Sequence, residues 1–337
     1  MKNNFSNIFL VCLFLLGNGI ITFFSGSIFA LLLFIALCGA AVFVLSKPLC
    51  LNGFSVEVFK CAQKNAVFKA LLFALLFALC LFAFCDTSKD YFYVLANGAK
   101  NAFHKTALRF AFCGLTLCLA LCKKSVIKMF AKASFFIVVL AFVIMLLSTA
   151  RSFNFSFLKD AFYVGEIAKP TVLSVIKSFG ELFICFLFIG GQNKKNAKTI
   201  SVYALSLGAC FYLICFFNSL FVIGGKVSTM VFSPYAFSTA SVFSGEEFAR
   251  VDLLVYYVFF VCATVKEAVI LWTVLSSANA IHTLLKKITA VIFLIVGTFN
   301  FSFLQDTSIL LALEIITPVL FFVFVKKLNS HQPARHS

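Results

Sequence analysis

The chain has 337 residues, of which 62% are hydrophobic and only 12% are charged, and its formal net charge is +16. A soluble globular domain is about half apolar and about a quarter charged, so this composition excludes a soluble domain and indicates an integral membrane protein. The basic residues are dispersed among the connections between apolar segments, so the positive charge does not indicate a nucleic-acid partner.

Apolar runs of about 18 residues or more predict membrane-spanning helices, because the strands of a β-barrel would alternate instead. We predict an all-α polytopic membrane protein with ten spans. In chain order they are Phe5–Phe24, Ile28–Leu45, Ala66–Phe84, Thr106–Cys122, Ala133–Thr149, Val172–Gly191, Val202–Ile223, Leu253–Ser276, Ile288–Phe303 and Ile309–Val325. The fourth span is the weakest and could begin earlier, between Tyr91 and Ala102. The spans form one transmembrane domain, and residues 326–337 form a short cytoplasmic tail.

The first span contains Gly17, Asn18 and Gly19 near its middle. Each glycine costs about 1 kcal/mol relative to alanine in a helix. Unpaired backbone groups at membrane depth are tolerated only where they are buried in protein or line a polar cavity. We therefore predict that this helix is broken and that its freed amides bind a ligand carboxylate. The alternative is an unbroken helix whose glycines let a neighbouring helix pack closely.

Ten spans divide into five plus five, and a tandem unit with an odd number of spans alternates in orientation. We therefore predict two inverted five-helix repeats, at about residues 5–149 and 172–325. The first span of the second half carries Gly180 and Glu181 at the place that corresponds to Gly17–Gly19. The pattern predicts that the first and sixth helices are both unwound, at Gly17–Gly19 and near Gly180, and that they meet at mid-membrane.

The placement of lysine and arginine predicts that both termini lie in the cytoplasm. The predicted inner connections are basic, as at Lys123-Lys124 and Lys194-Lys195, and Lys326-Lys327 follows the last span. Most acidic residues fall in the predicted outer connections, as at Glu246-Glu247. The longest of these connections, residues 224–252, has room for a short interfacial helix but not for a soluble domain.

Four ionisable residues lie away from the ends of the predicted spans or within their apolar part: Glu181, Lys266, Glu267 and Glu314. A charge at the centre of a membrane helix costs at least about 2.5 kcal/mol, so such residues usually face the bundle interior and pair. Adjacent helical residues do not face each other, so the partner of Lys266 is expected on another helix, where Glu181 is the expected partner and Glu314 is the other available acid.

The functional interpretation of these charges is a site coupled to a proton or a substrate, in which Glu181 titrates and Lys266 is a fixed positive charge. The alternative is a static buried ion pair that fixes helix register. For Glu314, the alternative is a place beside a kink at Pro318.

The sequence carries no recognisable catalytic constellation. Its four histidines are scattered without metal-ligand spacing, and no phosphate-binding glycine loop occurs. We expect neither an enzyme nor a cofactor or metal site. An intramembrane or lipid-modifying enzyme that uses the outer acids remains an open alternative.

One stretch resembles a known family. Gly245-Glu246-Glu247-Phe248-Ala249-Arg250-Val251-Asp252 is followed by a helix with Val265-Lys266 and by Ser277-Ala278-Asn279-Ala280. This arrangement resembles the spore germination permeases, the B subunits of nutrient germinant receptors in the amino acid–polyamine–organocation transporter superfamily. The resemblance is clearest between Asp160 and Leu285. Gly17-Asn18-Gly19 is also similar to the glycine-rich break in the first helix of amino-acid permeases.

The resemblance implies ten helices in two inverted repeats and a nutrient site, often for an amino acid, between the first, third, sixth and eighth helices. It implies an A-type membrane subunit and a C-type lipoprotein as partners, in the inner membrane of a spore. We expect a nutrient-binding subunit of a germinant receptor, with Gly17, Asn18, Gly19, Gly180 and Glu181 at the ligand. The alternative is a free-standing proton-coupled amino-acid transporter in the cell membrane.

Overall fold

The computed structural model describes residues 2–22, 28–49, 59, 66–96, 102–150, 153–162, 168–190, 192, 194–224, 251–299 and 307–330. These residues are almost entirely helical and contain no strand, which confirms the predicted all-α class. The α-helices are α1 (Lys2–Thr22), α2 (Ile28–Leu49), α3 (Ala66–Ala96), α4 (Ala102–Leu121), α5 (Lys124–Thr149), α6 (Ala168–Ile189), α7 (Lys194–Ile223), α8 (Val251–Ile281), α9 (Thr283–Phe299) and α10 (Thr307–Ser330). A 3-10 helix, Phe155–Phe162, lies between α5 and α6.

Each of these α-helices overlaps one of the ten predicted spans. The largest differences in length are at α3, which continues past Phe84 to Ala96, and at α5, which begins at Lys124. The fourth helix does begin earlier than Thr106, at Ala102, but Tyr91 belongs to α3. The predicted tail 326–337 begins inside α10, which continues to Ser330. The outer cluster Glu246–Arg250 and residues 331–337 lie outside the described residues.

The chain is a helical membrane protein. Five described segments are long and apolar enough to cross a bilayer: Ala66–Lys89, Lys124–Ile144, Lys195–Val222, Phe260–Ile281 and Ser308–Lys326. Two shorter apolar segments lie in α1 and α2. Large apolar side chains are also exposed on the outside of the bundle, for example Met129, Phe136, Leu140 and Leu147 along α5. An apolar outer surface of this kind is expected of a protein surrounded by lipid.

Three helices are enclosed by the others over their middle turns. Every residue is buried in 10–17 of α1, in 180–189 of α6 and in 261–271 of α8. A helix that is apolar all round and buried all round belongs at the centre of a bundle. The ionisable residues of α6 and α8 in these turns therefore lie in the protein interior and do not face lipid.

The predicted breaks in the first and sixth helices are wrong. The backbone of α1 is helical through Gly17, Asn18 and Gly19, and that of α6 is helical through Gly180. A helical glycine costs about 1 kcal/mol, whereas a backbone group without a hydrogen bond in apolar surroundings costs about 2–7 kcal/mol. Keeping the turns closed is therefore the more favourable arrangement, and the alternative of glycines that allow close packing describes these helices better.

The packing partners of the first five helices recur among the last five. α1 packs against α7 and α5, and α6 packs against α2 and α10. α8 packs against α5, and α3 packs against α10. The pairs α3–α8, α2–α7 and α4–α9 join helices that are five positions apart. If α1 is exchanged with α6, α2 with α7 and so on through α5 with α10, most of these helix–helix contacts map onto one another.

Candidate functional site in the buried core

A buried ion pair joins α6 to α8. Lys266 Nζ lies 2.7 Å from Glu181 Oε1, and the two side chains are 2% and 0% exposed. The prediction that Lys266 pairs with an acid from another helix is confirmed, and Glu181 is that acid. Because the pair is shielded from water, each charge depends on the other for compensation.

Gly17 on α1 forms one wall of this pair. A Cβ added at Gly17 would lie 3.4 Å from Lys266 Cδ and 3.5 Å from the Cys262 carbonyl oxygen. The glycine thus lets α1 approach the aliphatic part of the lysine side chain and the backbone of α8. The backbone of Asn18 and Gly19 continues the helix, but the Asn18 side chain and the surroundings of Gly19 lie outside the described part of the chain.

Gly180 brings Glu314 next to the pair. A Cβ added at Gly180 would lie 2.6 Å from the Cα, Cβ and Cγ atoms of Glu314, so α6 and α10 touch without an intervening side chain. Glu314 is fully buried, and neither of its carboxyl oxygens has a hydrogen-bond partner among the described residues. Glu181, the next residue after Gly180, carries the carboxylate that binds Lys266.

Pro318 alters the helix just after Glu314. α10 continues through Pro318, but proline has no N–H group to donate to the carbonyl four residues earlier, which is that of Glu314. The hydroxyl of Thr317 is also buried without a hydrogen-bond partner in the described structure. This turn of α10 is therefore less fully hydrogen-bonded than an ordinary helical turn.

Glu267 does not join the Lys266 ion pair but faces a different set of helices. Its Oε1 accepts a hydrogen bond of 2.7 Å from Ser88 Oγ on α3, and Thr116 on α4 is a second hydroxyl beside it. Adjacent residues on a helix point about 100° apart, so α8 presents a positive side chain to α6 and an acidic side chain to α3 and α4.

A second ion pair, which the sequence analysis did not predict, lies between α3 and α6. Lys177 Nζ contacts Asp86 Oδ2, and their side chains are 18% and 11% exposed. Lys177 precedes Glu181 by four residues, so both lie on the same face of α6. The two residues of the new pair lie near the ends of predicted spans, Lys177 near the start of Val172–Gly191 and Asp86 just after Ala66–Phe84, so no direct signal for this pair was present in the sequence.

Two further contacts fix the helices around the site. Tyr212 on α7 donates its hydroxyl hydrogen to the Leu15 carbonyl of α1, one turn before Gly19. At the end of α6, Gly190 adopts φ 77° and Lys124 Nζ donates a 2.9 Å hydrogen bond to the Ile189 carbonyl. Tyr212 and Lys124 thus hold α1 and α6 by backbone carbonyls, with no contribution from the acids of the core.

Within the described residues, no three His, Cys, Asp or Glu side chains come together in a way that could hold a metal ion. The structure brings Gly17, Gly180, Glu181, Lys266 and Glu314 to one place, and Glu267 lies on the other side of α8. Scanned against known protein-family models, the chain matches none, and it matches none of the curated proteins.

Proposed function

We propose that this protein binds a small nutrient, an amino acid, within the membrane and serves as the nutrient-binding subunit of a spore germinant receptor. The buried Lys266–Glu181 pair is the observation that carries the proposal. It places a positive and a negative side chain 2.7 Å apart where α6 and α8 meet beside Gly17 of α1. A zwitterionic ligand has the complementary charges, and its carboxylate can replace Glu181 at Lys266.

The ligand carboxylate is assigned to Lys266 because α1 is continuous. Its amides are used within the helix, so they are not free donors as an interrupted helix would have made them. Gly17 is instead assigned to the wall of the site, since the absence of a Cβ lets a ligand approach the α1 backbone closely. Glu181 supplies the negative charge for the ligand ammonium group.

The proposed architecture is that of two inverted five-helix repeats. The recurrence of packing partners at an offset of five helices supports it, because two copies of one unit should pack in the same way. The proposal includes cytoplasmic termini, the spore inner membrane, and the A-type subunit and C-type lipoprotein as partners. These elements rest on the lysine distribution and on the family resemblance.

The test is ligand-dependent stabilisation of the purified full chain in lipid nanodiscs. Each amino acid is compared with its own amide, in which the carboxylate is replaced while the side chain is retained. A ligand at one hundred times its Kd should raise the free energy of unfolding by about 2.7 kcal/mol. The amide should have no effect, and Lys266→Met should abolish the response while the control Gly114→Ala keeps it. Stabilisation by acid and amide alike would contradict the assignment of Lys266.

A second experiment separates the receptor from the free-standing transporter. The chain is reconstituted alone in liposomes with a pH gradient, and labelled ligand is followed. A receptor subunit should bind without accumulating the ligand, and it should co-purify with coexpressed A-type and C-type subunits. Accumulation driven by the pH gradient, with no stable association with those subunits, would favour the transporter instead.

A further inference from the structure

Two buried acids among the described residues belong to neither ion pair, and of these Glu267 accepts a hydrogen bond from Ser88 whereas Glu314 accepts none. Lys266 is engaged by Glu181, and Lys177 is engaged by Asp86. Glu314 lies against the same turns of α6 and is fully buried, with both carboxyl oxygens lacking a hydrogen-bond partner in the described structure. An ionised carboxylate in such surroundings would be a buried charge without compensation, which is one of the least favourable arrangements in a protein interior.

The charged groups within electrostatic reach of Glu314 do not compensate it. They are Glu181 and Lys177 on α6, Asp86 on α3 and Lys266 on α8. The two lysines are already bound at close range by the two other acids. A third carboxylate would add repulsion from Glu181 and Asp86, and two carboxylates that share a site do not both stay ionised easily.

The positive charge that neutralises Glu314 has to be small. α6 and α10 are in direct contact at Gly180, where an added Cβ would lie only 2.6 Å from atoms of Glu314. A metal ion would need several oxygen ligands around it, and the described residues hold no group of acids, histidines or cysteines of that kind. A proton needs neither extra ligands nor extra room.

We infer that Glu314 is a proton-binding site of the core, and that its carboxyl group carries one proton in the structure described. The exposed fraction of the ion-paired side chains near Glu314 differs between the two pairs. It falls from 18% and 11% at Lys177 and Asp86 to 2% and 0% at Lys266 and Glu181. On release, the O–H bond of Glu314 breaks, its electron pair stays on the carboxylate, and the proton passes to water. The new carboxylate then competes with Glu181 for Lys266.

The inference does not depend on the proposed nutrient, and it is tested without one. Infrared spectra of the full chain in lipid are compared with those of Glu314→Gln, and Glu181→Gln is the matched control. The difference spectrum for Glu314→Gln should show loss of a protonated carboxyl band that shifts in deuterated buffer. The difference spectrum for Glu181→Gln should show loss of carboxylate bands instead. Loss of carboxylate bands on Glu314→Gln would overturn the inference.

A stability measurement tests the protonation of Glu314 independently. Glutamine resembles a protonated glutamate in shape and charge, so Glu314→Gln should fold and should keep its unfolding midpoint close to that of the parent. Glu181→Gln should lower the midpoint, because it leaves Lys266 without its partner. A Glu314→Gln protein that fails to fold, or loses as much as Glu181→Gln, would show that Glu314 is charged. A sodium-dependent shift of carboxylate bands that is lost in Glu314→Gln would show that Glu314 binds a metal ion rather than a proton.

Discussion

Gly180 should tolerate an added methyl group poorly, and Gly180→Ala tests the packing of the site directly. The added Cβ would meet backbone and side-chain atoms of Glu314 at 2.6 Å. Because one of those atoms is Cα, no change of rotamer can relieve the overlap, and α10 has to move away from α6. Gly114 on α4 is the matched control, since no heavy atom lies within 4 Å of its added Cβ.

The expected magnitude follows from comparing the two variants. Each gains about 1 kcal/mol of helix propensity from glycine to alanine, so that gain cancels in the comparison. Overpacking a filled interior costs about 1–3 kcal/mol, and only Gly180→Ala incurs it. The free energy of unfolding of Gly180→Ala should therefore be lower than that of Gly114→Ala by about 1–3 kcal/mol.

Unfolding by sodium dodecyl sulfate in mixed micelles measures this difference. Trp272 is the only tryptophan of the chain, and its ring lies 4.9 Å from that of Phe188, centroid to centroid, so its fluorescence reports on packing between α6 and α8. Equal unfolding free energies for the two alanine variants would refute the close contact of α6 with Glu314.

Substitutions at three further positions should have graded effects on the free energy of unfolding, each measured by the same unfolding assay. Gly17→Ala should be as stable as the parent, because its Cβ would lie at ordinary contact distance, 3.4 Å from the nearest atom, Lys266 Cδ. Gly17→Leu should be less stable, because its longer side chain would displace Lys266. Equal stability of the two variants would contradict the close packing of α1 against Lys266. Ser88→Ala removes the hydrogen bond that Glu267 accepts, and a charge-assisted bond of this kind should contribute about 1.5–3 kcal/mol to the free energy of unfolding. A decrease below about 0.5 kcal/mol would mean that the bond is neutral or absent. Tyr212→Phe should cost about 0.5–1.5 kcal/mol by removing the bond to α1, and no change would indicate that the carbonyl keeps only its helical partner.

The helical architecture could be predicted from the sequence because long apolar runs have few other solutions in a membrane. The core ion pair was nearly predictable as well, since helix geometry excludes Glu267 as the partner of Lys266 and leaves two buried acids. The expectation of Glu181 over Glu314 could not be derived from helix geometry, because nothing in the sequence specifies which of two other helices lies closer, and the structure confirms Glu181.

The continuity of α1 was not predictable from its glycine content, because helix propensity is only one of two opposing costs. Two glycines weaken a helix by about 2 kcal/mol together, which is less than the cost of leaving several backbone groups unpaired in apolar surroundings. The Lys177–Asp86 pair was missed for another reason. Asp86, Ser88 and Lys89 make the end of α3 look like a loop, although the helix continues to Ala96.

The central claim is that Lys266 and Glu181 form the ion pair around which the core is arranged. A double-mutant cycle tests it, with unfolding free energies measured for Lys266→Met, Glu181→Gln and the double variant. Either single change should cost about 3–5 kcal/mol because it leaves one buried charge uncompensated, and the double variant should be more stable than Lys266→Met alone. The parallel cycle of Lys266→Met with Glu267→Gln should give no such recovery. Strictly additive losses in the first cycle, or recovery in the second, would contradict the account.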